Sequence, residues 1–276
     1  KTIHLLEKCG DKYSWIKVVK TELPESIAYC GTTTTDLGVV YVGGENENGL
    51  SNKSYILKWN AAKKEVEIKS LPNFPFAIAN IALTQIDNVV YAVGGDEATK
   101  SSDYFASLDL NDTNSEWKAL PKLPLALANS VVIAQKGQNG IGIYVVGGRT
   151  KTASGISDLH HTTFVFDVKT QQWKNAAAIS DGKNTTNFSA GAGVAVGKHS
   201  IVIVGGDNGA IFHQIETYLS QIAQAESPEQ KTELIAKKNK LVTNHPGFYS
   251  GILLYNTLTD QWKKIGELPF LPHVTT

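Results

Sequence analysis

The chain has 276 residues, 42% hydrophobic and 19% charged, which is close to the globular average and excludes a disordered, collagen-like or coiled-coil chain. Lys+Arg and Asp+Glu are both 26, so no net field favours nucleic acid or an anionic membrane, and neither is expected as a partner. No apolar run approaches the roughly 20 residues of a membrane-spanning helix, residues 1–10 lack a signal-peptide layout, and one domain over residues 1–276 is expected.

In chain order, the first signals are Trp15 and Leu23-Pro24. They read as the closing strands of a partial blade over 1–26. Four segments then share one pattern: GVVYVGGE (38–45), NVVYAVGGD (88–96), GIYVVGGR (142–149) and SIVIVGGD (200–207). Their first glycines, Gly43, Gly94, Gly147 and Gly205, lie 51, 53 and 58 residues apart, close to the roughly 50-residue kelch period. Each copy continues into an alternating strand, then a Trp or its substitute, then Leu-Pro or its equivalent: YFASLDL to Trp117, TFVFDV to Trp173, ILLYNT to Trp262. The copy at 27–76 keeps YILKWN but has Val66 or Ile68 in place of the Trp.

This pattern predicts an all-β, kelch-type propeller with blades at 27–76, 77–125, 126–187 and 188–270, and a further blade opening at 271–276. With the partial blade at 1–26, four full and two partial blades point to six in the complete ring. The double glycine allows positive φ and close backbone approach near the axis.

The copy at 188–270 is interrupted. Gly205 to Trp262 spans 57 residues, against 26 from Gly147 to Trp173. Residues 212–225 read as one helix, and Ser227-Pro228-Glu229-Gln230 as the capping-box start of a second running to about Val242. An αα-hairpin near 212–243 is therefore expected in this loop, and a loop this long on a rigid scaffold is a candidate for function.

Several longer stretches go beyond a generic kelch pattern: Ile27-Ala28-Tyr29, GGENENGLS (43–51), GGRTK (147–151), GISDL (155–159), GGDNG (205–209) followed by Phe212-His213, and NHPGFY (244–249). In this order they resemble the bacterial N-acetylneuraminate epimerases, or sialic acid mutarotases, and more narrowly their cyclically permuted branch in gut bacteria. The resemblance implies a six-bladed kelch propeller, a periplasmic or secreted location, interconversion of the α and β anomers of N-acetylneuraminate, and no metal or organic cofactor. It implies a small-molecule sugar acid as partner and leaves a homodimer open.

Mutarotation of a 2-keto sugar acid needs a cation for the carboxylate, a base for the anomeric hydroxyl proton and an acid for the ring oxygen. Arg149, the only arginine in the chain, can grip a carboxylate with two prongs; the alternative is a strand-end arginine paired with a neighbouring blade. Glu45, Asp96 and Asp207 occupy the same post-glycine position, where one or two would be catalytic and the others would bind hydroxyls or cap turns. Glu216 and His213 lie three residues apart on the first inserted helix and are the expected base and acid, or else two polar residues on a solvated face. The resemblance places the family's catalytic glutamate in this inserted region. His245 competes for the acid role, and Tyr29 and Asn80 are further expected substrate contacts, with Arg149, Glu45 and Asp207. His160-His161 reads as surface, and the two cysteines, Cys9 and Cys30, form neither a disulfide scaffold nor a metal-ligand spacing.

A non-catalytic kelch module that binds a glycan or protein with the same face is the alternative function. A sialidase is disfavoured because it would clamp the carboxylate with three arginines and carry Asp-box repeats. A copper radical oxidase would need a Cys-Tyr cross-link beside histidine ligands.

Overall fold

Each Gly-Gly copy ends the second strand of an antiparallel four-stranded sheet in the computed structural model, which describes residues 1–269 and is nearly all β. The first blade is formed in order by Gly31–Thr35, Gly38–Val42, Ser54–Asn60 and Glu65–Leu71. The second uses Ala82–Ile86, Val89–Val93, Phe105–Asp109 and Lys118–Ala119. The third uses Val131–Gly137, Gly140–Val146, Thr163–Asp167 and Gln172–Ala176, and the fourth Ser189–Val196, Ser200–Asp207, Gly251–Asn256 and Gln261–Glu267. Thr2–Cys9 and Lys12–Glu22 make a separate two-stranded hairpin, in the stretch where the sequence predicts a partial blade over 1–26. The expected blade opening at 271–276 lies outside the described residues.

Two compact units divide the chain: Lys1–Ala92 with Ala106–Ala119, and Val93–Phe105 with the chain from Leu120 onward. In the second unit the inner strand of the third blade is buried on both faces, which explains its unbroken IYVV run instead of a polar-apolar alternation. In the fourth blade alternation is clean: Ile201 and Ile203 are fully buried against Val131, Ile133 and Phe188, while Val202 and Val204 are partly exposed.

Strand register explains the degenerate copy. Phe166 pairs with Trp173 and Tyr255 with Trp262; the equivalent pair in the first blade is Trp59 with Val66. The third-strand aromatic is kept as Trp59, and on the fourth strand Val66 rather than Ile68 holds the Trp position.

The insertion is helical as expected, with α1 at Phe212–Ala223 and α2 at Pro228–Thr243. Ser227 caps α2 by accepting from the Gln230 N–H, and the Gln230 side chain returns a bond to the Glu226 N–H. Among the described residues no helix is long and apolar enough to cross a membrane.

Candidate functional site

The Gly-Gly turns aim the post-glycine residues. Gly147 has φ +61° and Gly148 φ +106°, and a Cβ on Gly147 would lie 2.0 Å from the Phe188 carbonyl oxygen. No other residue fits. The second glycine then donates its N–H to the entry of the following blade: Gly44 to Ile78 at 2.7 Å, Gly95 to Leu127 at 2.8 Å, Gly148 to Phe188 at 2.8 Å. The same device therefore fixes where Glu45, Asp96 and Arg149 begin.

In the second unit the structure gives Arg149 a partner that the sequence did not assign. Its Nη2 donates to Asp96 Oδ2 at 2.6 Å, with the arginine side chain 14% and the aspartate 2% exposed. Asp96 also accepts from Ser101 Oγ at 2.9 Å and lies 3.8 Å from Lys151 Nζ. Lys151 Nζ donates to the Glu97 carbonyl, and its backbone N–H to Ser101 Oγ. Two cations thus share one buried carboxylate, and Arg149 keeps donors beyond the one on Asp96.

Residues 149–159 form the hub of this region. Arg149–Thr150 pairs with Asp158–Leu159 in a short two-stranded ribbon. A Cβ built on Gly209 would lie 3.4 Å from Leu159 Cδ2 and 3.0 Å from His213 Cε1, so the Arg149 ribbon is one side chain away from the loop that carries Asp207. The Thr150 hydroxyl donates to the Ala126 carbonyl at 2.6 Å, so its 2.8 Å contact with His160 Nε2 must be received from the ring, which fixes Nε2 as the protonated nitrogen. Burial pushes the His160 pKa below its ordinary value, with His161 adding to the effect and Asp158 opposing it.

Glu216 and His213 do come together, on Ser157. Ser157 donates its N–H to Glu216 Oε2 at 2.8 Å and its hydroxyl to Oε1 at 2.7 Å, while its carbonyl accepts from His213 Nε2 at 2.7 Å. Every polar atom of a buried serine is thereby used to seat α1. Ser157 was not singled out from the sequence, although the GISDL stretch contains it; Asp96 was named as one of three post-glycine acids, but not as the partner of Arg149.

Asp207 and His245 line an open cavity of about 320 Å³ with Asn208, Phe248, Tyr249 and Ser250. Asp207 Oδ1 accepts from the Gly209 N–H at 2.6 Å. His245 Nδ1 accepts from the Gly247 N–H at 3.0 Å, so the neutral ring carries its proton on Nε2, and Phe248 packs beside it with ring centroids 4.7 Å apart. A second cavity, of about 180 Å³, lies by the Gly137–Gly140 turn at the far end of the third blade. Its tyrosines serve packing: the Tyr255 hydroxyl donates to Asp260, and burial raises the pKa of both Tyr144 and Tyr255.

The remaining expected residues belong to the first unit. Tyr29 (φ +57°) is exposed and accepts at its carbonyl from the N–H of Asn80 (φ +52°) at 2.8 Å. Glu45 is exposed and bonded through its backbone to Ala28, which brings these three residues to one edge. Among the described residues no group of three or more His, Cys, Asp and Glu side chains could hold a metal ion.

Comparison with known proteins adds a family. The N-acetylneuraminate epimerase of Haemophilus influenzae (strain 86-028NP) is 24% identical over 202 residues, covering 73% of this chain and 50% of that protein. The N-acetylneuraminate epimerase of Yersinia pestis is 28% identical over 208 residues, covering 72% and 48%. Kelch-like protein 41a of Danio rerio is 28% identical over 139 residues, covering 50% of this chain and 21% of that one. The chain thus spans about half the length of the curated epimerases it matches. The solved structure of YjhT superposes with a TM-score of 0.55 at 17% identity, covering 72% of this chain and 54% of that one, a likeness of fold. The N-acetylneuraminate epimerase family model matches residues 71–276, three quarters of the sequence including Asp96, Arg149, Ser157, Asp207 and both helices, and the chain belongs to that family.

Proposed function

We propose that this chain works as a mutarotase that interconverts the α and β anomers of N-acetylneuraminate by ring opening and reclosure. Family membership over 71–276 carries the reading, and the arginine at the Gly-Gly rim supports it. In this reading the free donors of Arg149 hold the substrate carboxylate. A carboxylate takes the proton of the anomeric hydroxyl, the electron pair left on that oxygen forms the ketone, and the bond from the anomeric carbon to the ring oxygen breaks. An acid protonates the departing ring oxygen, and rotation followed by the reverse steps closes the other face. Both groups end as they began.

Asp207 and His245 are the better pair for base and acid, because both line one open cavity. Glu216 and His213, already bonded through Ser157, hold α1 in place in this reading. A periplasmic or secreted location and a homodimer belong to the same proposal and rest on the resemblance alone.

The test is NMR of freshly dissolved α-N-acetylneuraminate with and without the protein. Faster approach to anomeric equilibrium is expected, with the gain lost in Asp207→Asn and His245→Gln and kept in part in Glu216→Gln. Saturable binding without acceleration would favour the second reading, a non-catalytic kelch module, which the similarity to Kelch-like protein 41a keeps in view.

A further inference from the structure

Arg149 has its Nη2 on a carboxylate that is 2% exposed, and that carboxylate is itself held by Ser101 Oγ and approached by Lys151. A surface arginine spends several rotatable bonds on reaching a ligand; one tied to a buried acceptor has already lost that freedom. The charges are unequal as well. Asp96 and Glu97 face Arg149, Lys151 and Lys100, with Lys100 3.6 Å from Glu97, so this cluster carries one formal positive charge in excess. A purely structural ion pair needs no such excess, whereas an anion would complete it.

We propose that Asp96 is the positioning residue of the carboxylate clamp: it fixes Arg149 through Nη2, so that the remaining edge of the guanidinium meets the sugar acid already oriented, with Lys151 supplying the second cation. Ser101 locks Asp96 in turn. The proposal rests on the reading of Arg149 as the carboxylate ligand and adds the residue through which that ligand is set.

Position and charge make opposite predictions here. Removing Asp96 makes the cluster more positive, so if its role were only electrostatic, binding of an anion would tighten. If it positions Arg149, binding weakens despite the added positive charge. The experiment is calorimetric titration of the full chain with N-acetylneuraminate and with its methyl ester, which lacks the negative charge. Asp96→Ala is expected to weaken the acid at least tenfold and the ester less than twofold. Asp96→Asn, which can still accept from Nη2, should recover most of the loss. Ser101→Ala should weaken the acid severalfold and serves if Asp96→Ala does not fold. Tighter binding of the acid by Asp96→Ala, or equal weakening of acid and ester in Asp96→Ala or in Ser101→Ala, overturns the proposal. Arg149→Lys separates the two levels. If it leaves the preference for acid over ester unchanged, the carboxylate reading itself fails; if it abolishes that preference while the Asp96 and Ser101 variants keep it, only the positioning role fails.

Discussion

The indole Nε1–H of Trp173 donates to the carbonyl of Pro121 at 2.8 Å. The same bond recurs from Trp117 to Pro72 at 3.0 Å and from Trp262 to Ala177 at 3.0 Å. Tryptophan and Leu-Pro recur together in the sequence because the Trp of one repeat closes on the end of the repeat before it. Replacing Trp by Phe keeps much of the ring packing and orphans the carbonyl. Trp173→Phe, at an exposed bond, should cost ~1 kcal/mol, and Trp262→Phe, whose ring is nearly buried, up to about 3 kcal/mol. Urea midpoints of the two variants check the order.

Gly147 and Gly197 have nearly the same φ, +61° and +57°, in different surroundings. A Cβ on Gly147 meets the Phe188 carbonyl oxygen at 2.0 Å; one on Gly197 meets nothing within 4 Å. Gly197→Ala should lose ~1 kcal/mol from backbone strain alone. Gly147→Ala must also push two chain segments apart, and should unfold at a far lower denaturant concentration or fail to fold. Equal midpoints would mean that blade contact at the Gly-Gly turn contributes little.

Those glycines made the fold readable: spacing gave the blades, and the Ser-Pro-Glu-Gln run gave the start of α2 at Pro228. The site was less readable, for physical reasons. Arg149 stood out because it is the lone arginine, but that it meets Asp96 rather than Glu45 or Asp207 depends on which post-glycine turns lie side by side. The GISDL stretch stood out, but the role of Ser157 within it did not, because two of its three bonds use backbone N–H and C=O, which carry no side-chain signature. Whether Val66 or Ile68 stands in for the Trp of the first copy was open in the sequence, and strand register settles it for Val66.

His160 should make stability fall in mild acid. Its folded pKa is depressed by burial, so below the ordinary value of 6.5 the unfolded chain binds the proton more readily than the native one. The stabilisation by the neutral ring is fully present above that value and is lost as pH falls toward the depressed folded pKa. Unfolding free energies of wild type and His160→Gln at pH 8 and pH 5.5 should converge at the lower pH. A gap that does not narrow removes His160 as the cause.

Glu216 and Ser157 should set the order of the helical hairpin. Charge-assisted bonds contribute about 1.5–3 kcal/mol each, so losing both should loosen α1 without melting the blade that holds Ser157. In Ser157→Ala the hydroxyl bond goes and the backbone bond stays; in Glu216→Ala both go. Hydrogen exchange over residues 212–243 should therefore rise in the order wild type, Ser157→Ala, Glu216→Ala, with the third-blade strand Thr163–Asp167 unchanged. A uniform rise across the unit would mean that the contact supports the blade instead.

Arg149→Lys tests the carboxylate reading with charge held constant. Lysine keeps the positive charge beside Asp96 but loses the planar fork, so the ligand loses at least one of two parallel bonds. At about 1.5–3 kcal/mol for a charge-assisted bond, substrate affinity should fall roughly ten- to a hundredfold. Asp96 keeps cationic neighbours at both 149 and 151, so the fold should survive, and thermal unfolding should shift by only a few degrees. The measurements are anomerisation kinetics by NMR and the thermal midpoint of the same samples. A mutant that turns over N-acetylneuraminate as well as wild type would leave Arg149 with the structural role its pairing with Asp96 already gives it, and the carboxylate reading of this residue would fail.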